Sequence, residues 1–367
     1  MIAQTTKTRL VLICGGQSGE HEISLLSAYN VVKAINFEKY DCFILGIEKN
    51  GTWAYYPNTR DFLLNVGDAK KIQLNAAGAI PATIITTEKG PALIRLSDAH
   101  VIDLLDVAFP VLHGPFGEDG SIQGFFKLLS LPFVGSETLS SSMTMDKDIT
   151  RRLLEAAGIP TVPFLSFEHA ALKSIEFKSV TAKLGLPLFI KPANAGSSLG
   201  VSKVVSEDSF SASVTEAFRH DQKILIESAI LGRELECAVL GNECPDASVI
   251  GEIIPRTGDF YSYEAKYLDS NGARLEAPAQ LSPDQIKQIQ ALAIAAYKTL
   301  GCQGLARVDF FLSADDRLYV NEINTMPGFT DISMYPKLWG LSGVPYATLV
   351  EKLIQFALSR VRFVCPA

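Results

Sequence analysis

Apolar residues in this chain come in short unbroken runs that end in glycine, proline or polar turn residues, and several runs are followed by stretches with helical spacing. The first run, Leu10-Val11-Leu12-Ile13-Cys14, predicts a strand over residues 8–14. The polar, glycine-rich stretch from Gly15 then leads to a helix predicted over residues 25–35, with Ser24 as its N-cap. Residues 40–47 read as the next strand, residues 106–112 as a buried strand, and residues 131–136 as the last strand of this unit. Strand, glycine loop and helix in that order open a doubly wound α/β domain, where ligands meet the carboxyl ends of the strands. Residues 51–100 mix turn dipeptides with short β-rich pieces and read as an elaboration without identifiable chemistry.

Further along, a helix containing Asp146-Lys147 is predicted to stop at Gly158, with Pro160 behind it. Strands are expected over residues 188–192, 223–230, 235–240 and 250–254. Ser282-Pro283-Asp284-Gln285 is a capping pattern with proline at N1, and Ile286, Ile289, Ala293, Ala296 and Leu300 give the following helix its apolar stripe up to Gly301. A closing helix is expected near residues 346–358.

The most informative polar pattern is a hairpin. Residues 306–311 and 317–324 are both strand-like, and Ser313-Ala314-Asp315-Asp316 between them is turn chemistry. Alternation puts Arg307 and Asp309 on one face and likewise Glu322 and Asn324. A solvated face is one reading of this set. The other is a site for a hard cation such as Mg²⁺ bridging nucleotide phosphates, since such ions take carboxylate and amide oxygens. Thr325-Met326-Pro327-Gly328 then carries the chain into a backbone-led loop.

Other stretches fit the second reading. Lys191 closes an apolar run, an unfavourable place unless an anion pairs with it, and the Gly/Ser-rich residues 194–200 that follow have the composition of a flap over phosphates. The lysine precedes the glycines, so this is not a Walker A loop. In a nucleotide site the strand ending near Glu227 would meet the adenine edge and Glu234 would accept from ribose hydroxyls. His113 heads a loop with Gly114, Gly117, Glu118, Asp119 and Gly120 at a strand's carboxyl end, and residues 258–267 read as an ordered loop rich in aromatics.

Composition narrows the class. A chain of 367 residues exceeds one ordinary core, so two or three domains are expected. The net charge of −7, without a Lys/Arg cluster, argues against a nucleic-acid partner. Every apolar run breaks well before the roughly 18 residues of a membrane span, and no signal peptide is expected. The 6 cysteines have no Cys-x-x-Cys spacing, so reduced thiols in a cytoplasmic protein are expected, with neither a zinc site nor a disulfide framework.

With these pieces in place, the sequence resembles the D-alanine:D-alanine ligases of the ATP-grasp superfamily, from Gly15 to about Leu358. The likeness rests on Gly15-Gly16-x-Ser18-x-Glu20, His113-Gly114-x-x-Gly117-Glu118-Asp119-Gly120, Lys191-Pro192, Tyr263-Glu264-Ala265-Lys266-Tyr267 and the closing motif from Arg307 to Gly328, in that order. It implies an α/β, three-domain ATP-grasp fold: an N-terminal doubly wound (Rossmann-like) domain at 1–136, a central domain at 137–227 and a C-terminal domain at 228–367, with ATP between the sheets of the last two. It implies ligation of two D-alanine molecules through an acyl phosphate for peptidoglycan synthesis, in a cytoplasmic homodimer. By the same likeness Lys147, Lys191 and Lys266 contact ATP phosphates, Glu227 and Glu234 the adenosine, and Asp309, Glu322 and Asn324 two Mg²⁺ ions, with Mn²⁺ as a substitute. Glu20 would hold the first ammonium, with Ser197 and Tyr267 as partners in closing the site. Arg307 and backbone N–H groups near Gly328 would face the oxyanion, His113 the first substrate, and Ser333 with Met334 the second. A ligase joining D-alanine to D-lactate is the nearest alternative. A nicotinamide-dependent dehydrogenase would leave Lys191 and the hairpin carboxylates without a role, and an inactive nucleotide-binding module would be expected to have lost a ligand.

Overall fold

The computed structural model describes residues 7–196, 199–255 and 273–360. The first sheet is built from β1 (Thr8–Gly15), β2 (Tyr40–Ile47), β3 (Trp53–Tyr56), β6 (Ile80–Thr87), β7 (Gly90–Arg95), β8 (Val101–Leu104) and β9 (Val107–Val111), with β4 (Leu63–Leu64) and β5 (Gln73–Leu74) as a separate two-stranded arm. Its order is β8-β7-β6-β3-β2-β1-β9. Among the described residues of this sheet only β2, β1 and β9 run parallel; Leu10–Cys14 of β1 and all of β9 are apolar and buried, as is the second half of β2 from Ile44. Residues 51–100 extend the sheet by antiparallel pairing.

Helix α1 (His21–Ala34) begins a turn earlier than expected. Ser24 is not its cap: the hydroxyl accepts the Gly15 N–H at 2.7 Å and donates to the Val111 carbonyl, so it ties the helix to two strand ends. Gly15 itself has φ +89, and a Cβ there would stand 2.1 Å from the Ile47 carbonyl oxygen, which is why glycine ends the strand. After α2 (Ser121–Leu128), the strand expected at 131–136 is reduced to a single bridge from Ala108 to Phe133. Pro132 has no N–H to donate, so the ladder cannot extend.

The predicted helix around Lys147 is two helices, α3 (Thr138–Met145) and α4 (Lys147–Ala156). Asp146 separates them because its carboxylate accepts the N–H groups of Asp148 and Ile149 at 3.0 and 3.1 Å, a helix start and not a helix interior. The second sheet follows: β10 (Phe164–Glu168), β11 (Leu188–Pro192), β12 (Ser202–Val204) and β13 (Lys223–Ser228), in the order β10-β13-β11-β12, backed by α5 (Phe177–Leu184) and α6 (Glu207–His220).

The third sheet runs β16-β15-β14-β17-β18, from β14 (Gly232–Gly241), β15 (Asp246–Pro255), β16 (Ala273–Glu276), β17 (Gly304–Ser313) and β18 (Leu318–Asn324). Helix α7 (Pro283–Thr299) covers one face and carries the predicted capping box, with both Ser282–Gln285 hydrogen bonds formed. Helices α8 (Met334–Leu341) and α9 (Tyr346–Arg360) lie on the other side. Leu349, Leu353 and Ile354 of α9 share one core with Leu10, Leu12 and Leu25, so the last helix returns to the first sheet. No helix among the described residues is long and apolar enough to cross a membrane.

Candidate active site

The three sheets converge on a cavity of about 480 Å³. Its polar floor is the predicted hairpin: Asp309 of β17 is in register with Glu322 of β18, and Arg307 with Asn324. The register slips beside Asp309, where β18 bulges at Asn321. A bulge re-aims a side chain, and Asn321 joins Glu322 and Asn324 on the cavity wall. Arg307 grips Asp309 with two bonds of 2.7 Å and lies 3.2 Å from Glu236, which is opposite Asp309 on β14. Burial alone would lower the Arg307 pKa, but Asp309 and Glu236 hold it well above the usual guanidinium range.

At one end of the cavity, Lys147 opens α4; its ammonium donates to the Ala195 carbonyl at 2.7 Å and lies 3.7 Å from Glu322. Beneath this wall is a buried ionic cluster. Glu227, 5% exposed, receives Arg151 at 2.5 Å and Lys191 at 3.0 Å. Asn321 accepts from the same two cations at 3.3 and 3.4 Å. Burial lowers the Lys191 pKa to about 8, against the pull of Glu227. Burial would raise the Glu227 pKa, yet Arg151 and Lys191 hold it below the usual carboxylate range. Arg151 is fully buried, stacks 5.4 Å over Phe164, and its Nε and Nη1 find no hydrogen-bond partner among the described residues.

At the other end stand Glu20, His113 and Glu118, facing Gly328, Ser333 and Met334. A Cβ on Gly114 would lie 2.8 Å from Glu20 Oε2, and one on Gly328 2.8 Å from Ser333 Oγ, so both glycines allow close approach. His113 is buried, and burial lowers its pKa even though Glu20 opposes this. Glu118 accepts the Gly114 N–H at 2.8 Å; burial first, then Glu20, raise its pKa to about 8. Ser333 precedes α8 and holds the Thr330 hydroxyl at 2.7 Å.

A family model described as "D-ala D-ala ligase N-terminus" matches residues 9–136, and one described as "D-ala D-ala ligase C-terminus" matches residues 153–355. The chain belongs to the D-alanine:D-alanine ligase family. It is 51% identical over 354 residues to a D-alanine–D-alanine ligase of Shouchella clausii, covering 96% of this chain and 95% of that protein. It is 48% identical over 354 residues to D-alanine–D-alanine ligase A of Escherichia coli K12, covering 96% of each. Among solved structures it is similar to the D-alanine–D-alanine ligase from Coxiella burnetii, with TM-score 0.83, 37% identity and coverage of 97% of this chain and 96% of that one. It is also similar to the VanG D-Ala:D-Ser ligase from Enterococcus faecalis, with TM-score 0.84, 35% identity and coverage of 96% and 100%. The fold is the ATP-grasp fold of these ligases.

In this ligase-family chain, the cavity gathers Glu20, His113 and Lys147 with Glu234, Arg307 and Asp309, and also Glu322, Asn324, Gly328, Ser333 and Met334. Lys191 and Glu227 are not among the described lining residues; they lie in the layer below. Ser197, Lys266 and Tyr267, with the whole loop 258–267, lie outside the described residues. Sequence reasoning missed four participants. Arg151 follows Lys147 at the i+4 spacing of one helix face, and Glu236 follows Glu234 at the i+2 spacing of one strand face, so both were detectable. Asn321 is exposed to the site only by the bulge. The fourth is the arm of residues 51–100, which brings Val66, Gly67 and Ala69 to the cavity wall.

Proposed function

We infer that this chain joins two D-alanine molecules into D-alanyl-D-alanine, with ATP converted to ADP and phosphate, the dipeptide serving peptidoglycan precursors. One observation carries the reading: a single cavity is lined both by Lys147 with the carboxylates of Asp309 and Glu322 and by the Glu20–Gly328 region. A carboxylate is a poor acyl donor. Transfer of the γ-phosphoryl group to a carboxylate oxygen of the first D-alanine makes an acyl phosphate and ADP. The amine of the second D-alanine then attacks the acyl carbon, phosphate leaves, and the ammonium proton is lost.

Lys147 and Lys191 are assigned to the phosphates, and Glu227 and Glu234 to the adenosine. Glu227 carries a second duty, since it also holds Arg151 and Lys191 beneath the phosphates. Glu20 is assigned to the first ammonium, His113 to the wall beside that substrate, and Ser333 with Met334 to the second substrate. Arg307, oriented by Asp309 and Glu236, and the backbone at Gly328 are assigned to the developing oxyanion. Lys266, Ser197 and Tyr267 keep the roles that the resemblance gives them. The donor set of Asp309, Glu322 and Asn324 fits Mg²⁺ or Mn²⁺, because such ions take one or two protein carboxylates and complete their shell with water and phosphate. When bound, such ions offset charge on the transferring phosphoryl group.

The division into domains at 1–136, 137–227 and 228–367 is supported by one main sheet falling in each range, with the small β4-β5 arm beside the first and only Ser228 of β13 crossing a boundary. The homodimer and the cytoplasmic setting rest on the resemblance. ADP and phosphate release, measured with D-alanine, L-alanine or D-lactate, tests the function. D-alanine should drive release and L-alanine should not; the relatives' identity does not favour D-lactate as acceptor. ADP release that ignores D-alanine would overturn the assignment.

A further inference from the structure

Ser27 is fully buried on the inner face of α1 and belongs to none of the motifs that mark the family. Its hydroxyl oxygen accepts the Phe329 N–H at 3.1 Å and lies 3.1 Å from Nε2 of His113. The other ring nitrogen, Nδ1, lies 2.9 Å from the Met326 carbonyl oxygen, which can only accept. The ring proton is therefore on Nδ1, and in a neutral imidazole Nε2 is then an acceptor. Ser27 has one proton to give, and Nε2 takes it. The bonds run head to tail from Phe329 N–H to Ser27, from Ser27 to His113, and from His113 to Met326. They close a ring with the 326–329 segment, and Gly328 lies inside it. The Phe329 carbonyl is held separately by the Tyr346 hydroxyl at 2.6 Å.

We propose that Ser27 is a positioning residue for the ligation reaction: through Phe329 and His113 it holds the 326–329 loop so that the Gly328 backbone is preorganised for the oxyanion. This rests on the functional reading given above. A donor aimed before charge develops needs no reorganisation at the moment of reaction, and small misplacement of such a donor lowers turnover steeply. The neutral ring is what keeps the cycle intact. A protonated His113 would aim Nε2–H and the Phe329 N–H at the same oxygen, leaving the Ser27 proton without its acceptor. Burial of His113 favours the neutral form.

The test compares wild type, Ser27→Ala and Ser27→Thr in steady-state kinetics, with ¹⁵N NMR of histidine-labelled protein. Wild type should show His113 protonated on Nδ1, with Nε2 as a hydrogen-bonded acceptor. Ser27→Ala should lower kcat by roughly 10- to 100-fold, leave KM for ATP within about two-fold, and shift the Nε2 resonance as its donor is lost. Ser27→Thr, which keeps the hydroxyl, should recover part of kcat and the wild-type resonance. Wild-type kcat in Ser27→Ala, or equal impairment of both variants with unchanged His113 resonances, overturns the proposal. Should Ser27→Ala not fold, the wild-type tautomer decides, and a proton on Nε2 overturns it. A wild-type protein without D-alanine-dependent ADP release would instead refute the functional reading.

Discussion

The two ends of the cavity are held together by different physics. Under the end assigned to nucleotide, Arg151 and Lys191 share Glu227, so two buried cations face one carboxylate and Arg151 leaves two nitrogens without hydrogen bonds among the described residues. At the end assigned to amino acids, Ser27, His113, Met326 and Phe329 are joined by hydrogen bonds between neutral groups. A surplus of buried positive charge is unfavourable until an anion arrives, and the phosphates of ATP are such an anion. A neutral network gains nothing from an arriving charge. What it supplies is fixed geometry, which acyl transfer needs. One end therefore stores electrostatic demand for a ligand, and the other stores position.

The largest effect expected from breaking this contrast lies where the charged floor meets the reacting phosphoryl group. Glu322→Gln keeps side-chain size but removes a carboxylate that stands 3.7 Å from Lys147 and pairs in register with Asp309. Turnover should fall by roughly 1,000-fold or more while the thermal midpoint stays near wild type. Near-normal kcat at saturating Mg²⁺ would remove the hairpin from the chemistry. Arg151→Met comes next. Without Arg151, Glu227 is left to Lys191 alone and the cluster becomes neutral, so KM for ATP should rise by roughly ten-fold with KM for D-alanine unchanged. Arg151→Lys should restore it. A stability loss below about 3 kcal/mol is expected for Arg151→Met, because Lys191 remains as a partner for Glu227. Equal rises in both KM values would show that the cluster supports the whole cavity and not its nucleotide end.

Which of these features can be read without coordinates follows from how each is encoded. The hairpin floor is legible because β alternation places Arg307 with Asp309 and Glu322 with Asn324, and the strands do pair that way. The capping box at Ser282 is legible because it is a local pattern. Asn321 is not, since a one-residue bulge inverts the face that alternation assigns to it. Ser24 misleads for a related reason: a serine near a helix start suggests a cap, whereas its hydroxyl reaches across the fold to Val111, as that of Ser27, inside the helix, reaches His113. Nor does composition announce that the arm around Val66 lines the cavity, or that α9 returns to the first sheet. Those are long-range contacts, and they have no periodic trace in the chain.

The smallest expected effect is also the one that separates the two ends most cleanly, because they should respond to pH with opposite sign. Burial puts the Lys191 pKa at about 8, so the nucleotide end loses a positive charge as pH rises from 7 to 9. Burial and Glu20 put the Glu118 pKa at about 8 too, so the amino-acid end gains a negative charge over the same interval. ATP affinity, measured by direct titration, should weaken by up to about ten-fold between pH 7 and 9, with proton uptake on binding. Affinity for D-alanine should strengthen modestly until its own ammonium begins to titrate. Stability follows the same two groups. Between the ordinary carboxyl value of 4.5 and about 8, the folded state holds a proton on Glu118 that the unfolded chain has lost, so this contribution falls as pH rises. Between about 8 and the ordinary lysine value of 10.5, the unfolded chain holds a proton that folded Lys191 has lost, so that contribution rises. Glu118→Gln should abolish the first slope and Lys191→Met the second in pH-dependent denaturant melts. If ATP and D-alanine affinities move in the same direction through pH 8, the electrostatic contrast between the two ends is wrong.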